Sequence, residues 1–350
     1  MPVSCPVGSI GFRTSGSTGR QKWVILEKRA LLLSAKSVND LLEVGTESKW
    51  GLALPLNHVG GFVVAARAYL AGCGVAKFEG KWDADRFADW AFAERITHVS
   101  MVPTQVHDLV KQGLQGPADL KAVVVGGGRL SDELGRKARD AGWPVLASYG
   151  MTEACSQVAT QEIGQVDRCY AECPLKILPI WETEITDEGR LKLKGPALFS
   201  GTLEERDGVW VFVNREGEWF ETRDRVELVG DVLKPIGRAD SLVKIMGELV
   251  DLEAVEKRFL AISAGRIPES GFAVFPSENS RREHVLVAVF EEGLERESVE
   301  DCFDRYQKLT GGLERFKKFL RVDRLPRSEL GKLRRGELGK LVETILREEQ

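Results

Sequence analysis

Between residues 27 and 142 the chain alternates short, unbroken apolar runs with longer stretches of helical period. That rhythm limits its folding options more than any other feature. The runs are "WGLALPL" (50–56), "ITHVSMV" (96–102) and "LKAVVVGGG" (120–128). They do not alternate apolar with polar, so they read as strands buried on both faces. Between them lie "EKRALLLSAKSVNDLLEV" (27–44), "DADRFADWAFAE" (83–94), "TQVHDLVKQG" (104–113) and "SDELGRKARDAG" (131–142), each with the period of an amphipathic helix. Ser131 is placed to cap the last of these. "VGGFVVAARAYLAG" (59–72) reads as a further, more apolar helix. A βαβα succession of this kind predicts an α/β fold with a mostly parallel sheet. Such sheets bind ligands beyond the carboxyl ends of their strands.

From about residue 175 the texture changes to short strands in quick succession: "LKILPIWETEIT", "RLKLKG", "VWVFVN" and "EWFETRDRVEL". These predict a small antiparallel β subdomain. "PIGRADSLVKIMGELVDLEAVEKRFL" (235–260) then reads as strand, turn, strand and helix. Asp251 is the expected helix cap, with Ala254, Val255, Phe259 and Leu260 on the apolar face. The remainder mixes strands ("HVLVAVFEE", 284–292) with helices ("ESVEDCFDRYQKL" and a charged helix from about 332) as a compact α+β unit. The predicted division is a large N-terminal domain over 1–237 and a small, mobile C-terminal domain over 238–350.

A net charge of −4 over 350 residues argues against general nucleic-acid binding. No apolar run has the length of a membrane span, and the start of the chain lacks the basic and apolar regions of a secretory signal. A cytoplasmic location is therefore expected. Six cysteines scattered through a chain this long suggest free thiols. Cys169 and Cys173 are spaced for a shared metal, but no second ligand pair follows.

Against this scaffold, "RTSGSTGRQK" (13–22) stands out. Gly16 and Gly19 allow a tight turn that exposes backbone N–H groups. Thr14, Ser15, Ser17 and Thr18 add hydroxyls, and Arg20 and Lys22 add positive charge. The loop suits phosphate without matching the Walker A or dinucleotide spacing. Four more stretches carry chemistry. "SYGMTE" (148–153) places Glu153 after a strand and a turn, where a carboxylate either caps a helix or ligates Mg²⁺. "ETRDRVEL" (221–228) offers Asp224 as an acceptor for ribose hydroxyls, and "PIGRAD" offers Arg238 as a rigid cationic fork. "LPRSELGKLRR" (325–335) carries Lys332 after Gly331. Each alone has a plain reading as a solvated charge or a turn.

In this order the stretches resemble the adenylate-forming superfamily of acyl- and aryl-CoA ligases, adenylation domains and luciferases. The likeness runs from residue 11 to 335. Within it, "LALPLNHVGGFVVAARAYLAG" (52–72), "HVSMVPTQVHDLV" (98–110), "LKAVVVGGGRL" and "SYGMTEACSQVAT" (148–160) are most similar to the o-succinylbenzoate–CoA ligases of menaquinone synthesis. The resemblance implies an AMP-forming ligase that uses ATP, Mg²⁺ and CoA on an aromatic carboxylic acid. It implies that Thr14, Ser15, Gly16, Ser17, Thr18, Gly19 and Lys22 hold the outer phosphates. Gly126, Gly127, Gly128, Tyr149 and Gly150 would flank the adenine, and Asp224 and Arg238 would fix the ribose. Glu153 would hold the metal, with Thr152 beside it, and Lys332 would act in the adenylation step. Asp240 would be a hinge about which the C-terminal domain rotates between steps, bringing in Lys244 and Gly247, the glycine leaving room for the pantetheine arm.

For the acid, the resemblance points to His58 and Arg67. Arg67 is the lone charge of its apolar segment and reads equally as a surface arginine with a buried stem. His98 is a weaker candidate for the crevice, and His107 reads as surface. Three features depart from the family pattern. Gln21 replaces a usual proline, Asn57 precedes His58 where an aromatic is common, and the phosphate loop starts at residue 14 where family members carry a sizeable preceding region. The last raises the expectation of a shortened enzyme whose acyl pocket is altered more than its nucleotide site. Two alternatives stay open: another aryl- or acyl-CoA ligase, or a nucleotide-binding module without catalysis. The joint presence of Glu153, Asp224, Arg238 and Lys332 argues against the module. Self-association is left open.

Overall fold

The computed structural model describes residues 5–15, 21–206, 208–279, 282–328, 331 and 333–348, with the backbone alone at Ser15, Gln21, Glu172 and Asp240. The chain divides into two compact units, Met1–Thr222 with Val226–Pro235, and Arg223–Arg225 with Ile236–Gln350.

The first unit opens with a hairpin, β1 (Ser9–Ser15) and β2 (Gln21–Glu27), and a helix, α1 (Lys28–Leu41). The expected alternation follows: β3 (Lys49–Leu52), α2 (Val59–Ala71), β4 (Gly74–Lys77), α3 (Ala84–Ala93), β5 (His98–Met101), α4 (Pro103–Lys111), β6 (Ala122–Val125), α5 (Asp132–Asp140) and β7 (Val145–Tyr149). Strands β4-β3-β5-β6-β7 are neighbours in that order and all parallel. Successive residues of β6 explain why its run is unbroken. Ala122 and Val124 join a core containing Leu31 and Val38 of α1 and Val63 and Val64 of α2. Val123 and Val125 join a second core, with Phe87 of α3, Val106 and Leu109 of α4 and Ala138 of α5. Helices therefore cover both faces, and every position of the strand is apolar. Ser131 caps α5 by accepting from the Leu134 N–H at 3.2 Å.

The antiparallel strands expected beyond residue 175 are present, and the structure adds where they go. They are β9 (Leu175–Ile177), β10 (Glu182–Ile185), β11 (Arg190–Lys194), β12 (Gly201–Arg206), β13 (Val209–Asn214), β14 (Phe220–Val229) and β15 (Val232–Arg238), preceded by a two-residue strand not expected from the sequence, β8 (Ala159–Thr160). Most extend the parallel sheet to eleven strands through β7-β8-β9-β15-β14-β11-β10. Strands β12 and β13 instead complete a four-stranded antiparallel sheet, β1-β2-β12-β13.

In the second unit, β16 (Leu242–Ile245) and β17 (Glu248–Asp251) form a hairpin before α6 (Leu252–Ser263). A three-stranded sheet of β18 (Phe272–Asn279), β19 (Glu283–Glu291) and β20 (Phe316–Val322) has α7 (Arg296–Leu309) before its last strand and α8 (Arg335–Glu348) after it. Val255 and Phe259 of α6 and Val299 and Tyr306 of α7 pack on Val274, Leu286 and Phe290. Leu338 and Val342 of α8 pack on Ala273, Val287 and Val289. Asp251 caps α6 through the Glu253 and Ala254 N–H groups. The buried face of α6 is Leu252, Val255, Phe259 and Ser263, whereas Ala254 is exposed and Leu260 half-buried. Val255 and Phe259 thus lie on the apolar face as expected and Leu260 flanks it, whereas Ala254 faces outward. Among the described residues no helix is long and apolar enough to cross a membrane.

Candidate active site

The ends of the hydroxyl- and glycine-rich stretch lie on β1 and β2, where Thr14 pairs with Lys22 and Ser15 with Gln21. Gly16, Ser17, Thr18, Gly19 and Arg20 fall outside the described residues. Thr14 Oγ1 is buried with no hydrogen-bond partner among the described residues, an acceptor and donor left unused. Lys22 Nζ stands 3.4 Å from Glu153 Oε1, with both side chains partly exposed. Glu153 sits on a single 3₁₀ turn, Thr152–Ala154, which the Phe199 N–H ties down by donating to the Glu153 carbonyl at 2.9 Å. The fold thus brings together the base of the loop and a carboxylate 131 residues away in sequence.

The proposed adenine segments close the carboxyl ends of two parallel neighbours. Val125 of β6 pairs with Ala147 of β7, so Gly126–Gly128 leave the sheet beside the end of β7, where Tyr149 still pairs with Ala159 and Gly150 follows the strand. Two of these glycines are demanded by the fold itself. A Cβ on Gly150 would lie 1.5 Å from the Ser156 carbonyl oxygen. Gly127 has φ of +77°, which disfavours any residue with a side chain.

His58 is the residue before α2, extended in backbone, and Arg67 lies on the third turn of that helix. The expectation of a surface arginine is overturned, because Arg67 is 1% exposed. Its Nη1 donates to Ser100 Oγ at 3.3 Å, its Nη2 donates to Gln157 Oε1, and its guanidinium lies over the Trp50 ring at 5.3 Å. Burial lowers its pKa to about 9. His98 is a core histidine. It is fully buried, with Nε2 3.2 Å from the Leu42 carbonyl and Nδ1 2.8 Å from Thr97 Oγ1, and burial pushes its pKa down to about 4. His107 is about half exposed beside Asp108. Cys169 is exposed and Cys173 buried, and among the described residues no cluster of potential metal ligands forms.

In the second unit Arg238 Nη1 stands 4.0 Å from Asp224 Oδ1, so the two proposed ribose residues are neighbours. Asp240 lies in a short 3₁₀ segment, Ala239–Ser241. Lys244 Nζ is 3.5 Å from Glu283 Oε1, and the Gly247 N–H donates to Glu283 Oε2 at 2.9 Å. That backbone N–H holds the Glu283 carboxyl below its ordinary pKa. Met246 and Gly247 both have positive φ, as a two-residue hairpin turn requires. A Cβ at Gly247 would meet nothing within 4 Å, so the turn's conformation accounts for the glycine locally. Lys332 lies outside the described residues. Its neighbour Gly331 has φ of +76°, and its carbonyl accepts from Arg327 Nη1 at 2.9 Å.

The sequence profile of the AMP-binding enzymes matches residues 13–203, more than half of the chain. The chain belongs to the AMP-binding enzyme family. Among curated relatives, 2-succinylbenzoate–CoA ligase of Staphylococcus aureus (strain MRSA252) is 30% identical over 351 aligned positions, covering 95% of this chain and 66% of the relative. The chain thus spans just under two thirds of that relative's length. Among solved structures, an E. coli MenE variant with bound OSB-AMS is 26% identical with a TM-score of 0.75, covering 95% of this chain and 68% of the other. Bacillus subtilis o-succinylbenzoate CoA synthetase (MenE), in complex with the acyl-adenylate intermediate OSB-AMP, shares the fold at 23% identity and a TM-score of 0.78, covering 94% and 68%.

For a member of the AMP-binding enzyme family, the sequence reading missed the partners of its candidates. Gln157 and Ser100 hold Arg67, and Glu283 holds both Lys244 and Gly247. Gln157 stands inside a stretch already singled out, yet its partner is 90 residues away. No local pattern marks a contact of that kind.

Proposed function

We propose that this AMP-binding enzyme joins an aromatic carboxylic acid, o-succinylbenzoate, to CoA through an acyl-adenylate, as a cytoplasmic enzyme of menaquinone synthesis. Residues 1–237 would bind ATP and the acid, and 238–350 would act as the lid. In the first step a carboxylate oxygen attacks the α-phosphorus of ATP, and the bond to pyrophosphate breaks. In the second the CoA thiol attacks the acyl carbon and AMP leaves. Both partners of the first step are anions, so the protein's task is to align them and offset their charge.

The observation that carries the reading is the meeting of Lys22 and Glu153 at the foot of the hydroxyl-rich hairpin, in a chain of this family. The residues fit Mg²⁺ and nucleotide. Glu153 is a hard oxygen donor, Thr14 Oγ1 is a buried hydroxyl without a partner among the described residues, and Gly127 and Gly150 keep side chains away from the strand ends. Glu153, with Thr152 beside it, would hold Mg²⁺, which neutralises phosphate charge when bound. Thr14–Gly19 and Lys22 would cradle the outer phosphates, Tyr149 and Gly126–Gly128 the adenine, and Asp224 and Arg238 the ribose. Lys332 would meet the charge that builds between the carboxylate and the α-phosphate. His58 and Arg67 would face the acid, Arg67 taking its second carboxylate.

Pyrophosphate release from ATP and Mg²⁺ across a panel of aryl and acyl acids tests this. A preference for o-succinylbenzoate is expected. Turnover of a different acid would keep the chemistry and refute the substrate, and ATP binding without pyrophosphate release for any acid would refute the activity. With Asp240 as hinge, Asp240→Pro should slow thioester formation more than adenylate formation, and equal loss of both would refute that role.

A further inference from the structure

Arg67 is unusual in how its charge is treated. Buried arginines are normally paired with a carboxylate, because an isolated charge in the interior is costly. Here the partners are all neutral: the Ser100 hydroxyl, the Gln157 amide oxygen and the face of Trp50. Among the described residues no carboxylate pairs with it, and burial lowers its pKa. One donor, Nε, is buried with no acceptor among the described residues. The arrangement is a fixed cation with its charge uncompensated and a hydrogen bond unspent.

Gln157 is what fixes it. The residue is 3% exposed. Its Nε2 donates to Thr160 Oγ1, and the Trp181 indole N–H donates to its carbonyl at 3.2 Å. With Nε2 engaged by Thr160, the amide oxygen is the atom presented to Arg67; a flipped amide would set two donors against each other. A glutamate has nearly the same shape but would neutralise the guanidinium. A glutamine orients it and leaves the charge.

We propose that Gln157 is a specificity-determining positioning residue: as a neutral acceptor it orients Arg67 while reserving the positive charge for the second carboxylate of a dicarboxylic aromatic substrate. This rests on the activity proposed above. It adds that the preference for a diacid depends on the absence of a negative charge at position 157.

The test compares o-succinylbenzoate with 4-oxo-4-phenylbutanoate, the same skeleton without the ring carboxylate, in the wild type, Gln157→Glu and Ser100→Asp. For Gln157→Glu the KM for the diacid should rise about tenfold or more, the scale of a hydrogen bond between charged partners. The KM for the monoacid and for ATP, and kcat with the monoacid, should stay within about twofold. Ser100→Asp, which neutralises the same guanidinium from the other side, should give the same split. A merely structural role would move both acids together. Tryptophan-fluorescence melts should place Gln157→Glu at or above the wild type, since it supplies the missing counter-charge; a much lower melt would itself contradict an uncompensated Arg67. Diacid preference that survives both substitutions would overturn the inference alone. A wild type that does not distinguish the two acids would overturn the proposed role of Arg67 and this inference with it.

Discussion

Acid should destabilise the first unit by a specific amount through one residue, His98. The side chain is fully buried, and its pKa falls from 6.5 to about 4 because burial, and secondarily the charges of Lys121 and Arg67, oppose protonation. The folded state therefore resists a proton that the unfolded chain accepts. Above pH 6.5 both states are neutral and nothing is lost. Below it the unfolded state gains proton affinity first, so stability falls as pH drops toward 4. A gap of 2.5 units corresponds to about 3 kcal/mol in full. Linkage gives about 1 kcal/mol at pH 5.5 and roughly 2–3 kcal/mol at pH 4.5. All eight tryptophans precede residue 222, so urea unfolding followed by tryptophan fluorescence reports the first unit. His98→Gln removes the titration while keeping one hydrogen-bonding group. The variant will start less stable at pH 7.5, and surface carboxylates will titrate in both proteins. The decisive quantity is the difference between them, which should shrink by roughly 2–3 kcal/mol between pH 7.5 and 4.5. A difference that stays constant over that range would refute a neutral, buried His98.

Glu153→Gln should cut ATP–pyrophosphate exchange by about 100-fold or more while barely moving the melting temperature, because its partly exposed pairing with Lys22 contributes less than about 1 kcal/mol; a large melting shift with exchange retained would reverse that assignment. Gly150→Ala should abolish exchange through local misfolding, since its methyl group would coincide with the Ser156 carbonyl, and normal activity would show that this turn relaxes freely. Phe259→Ala should cost the second unit about 3–5 kcal/mol, as Phe259 is fully buried and stacks on Phe272 at 4.1 Å. Amide hydrogen exchange in β18 and β19 should rise accordingly, with the tryptophan-monitored transition unchanged.

The legible part of the fold was the part written in local periodicity. The apolar runs of β3, β5 and β6 and the helices between them follow from residues within a few positions of one another, as do the Ser131 and Asp251 caps. Of the face read for α6, Val255, Phe259 and Leu260 meet the core, but Ala254 does not: it is apolar yet small, and its type alone does not say which side it takes. The destinations of the later strands were not legible. "GTLEER" at β12 pairs with β2, whose residues lie about 180 positions earlier, and nothing in either segment names the other.

The candidate site divides along the same line. Resemblance of ordered motifs to a known family nominated Lys22, Glu153, Asp224, Arg238 and Lys332; singly, each has a plain reading as a solvated charge or a turn. Spacing says nothing of environment. Only the tertiary structure decided that Arg67 is an interior cation and not a surface one, that His98 is a neutral core residue, and that Gln157 is the partner on which Arg67 depends. Sequence determines which atoms a residue brings. Folding determines which other atoms surround it, and for a charged group that surrounding sets whether the charge is solvated, cancelled or kept in reserve.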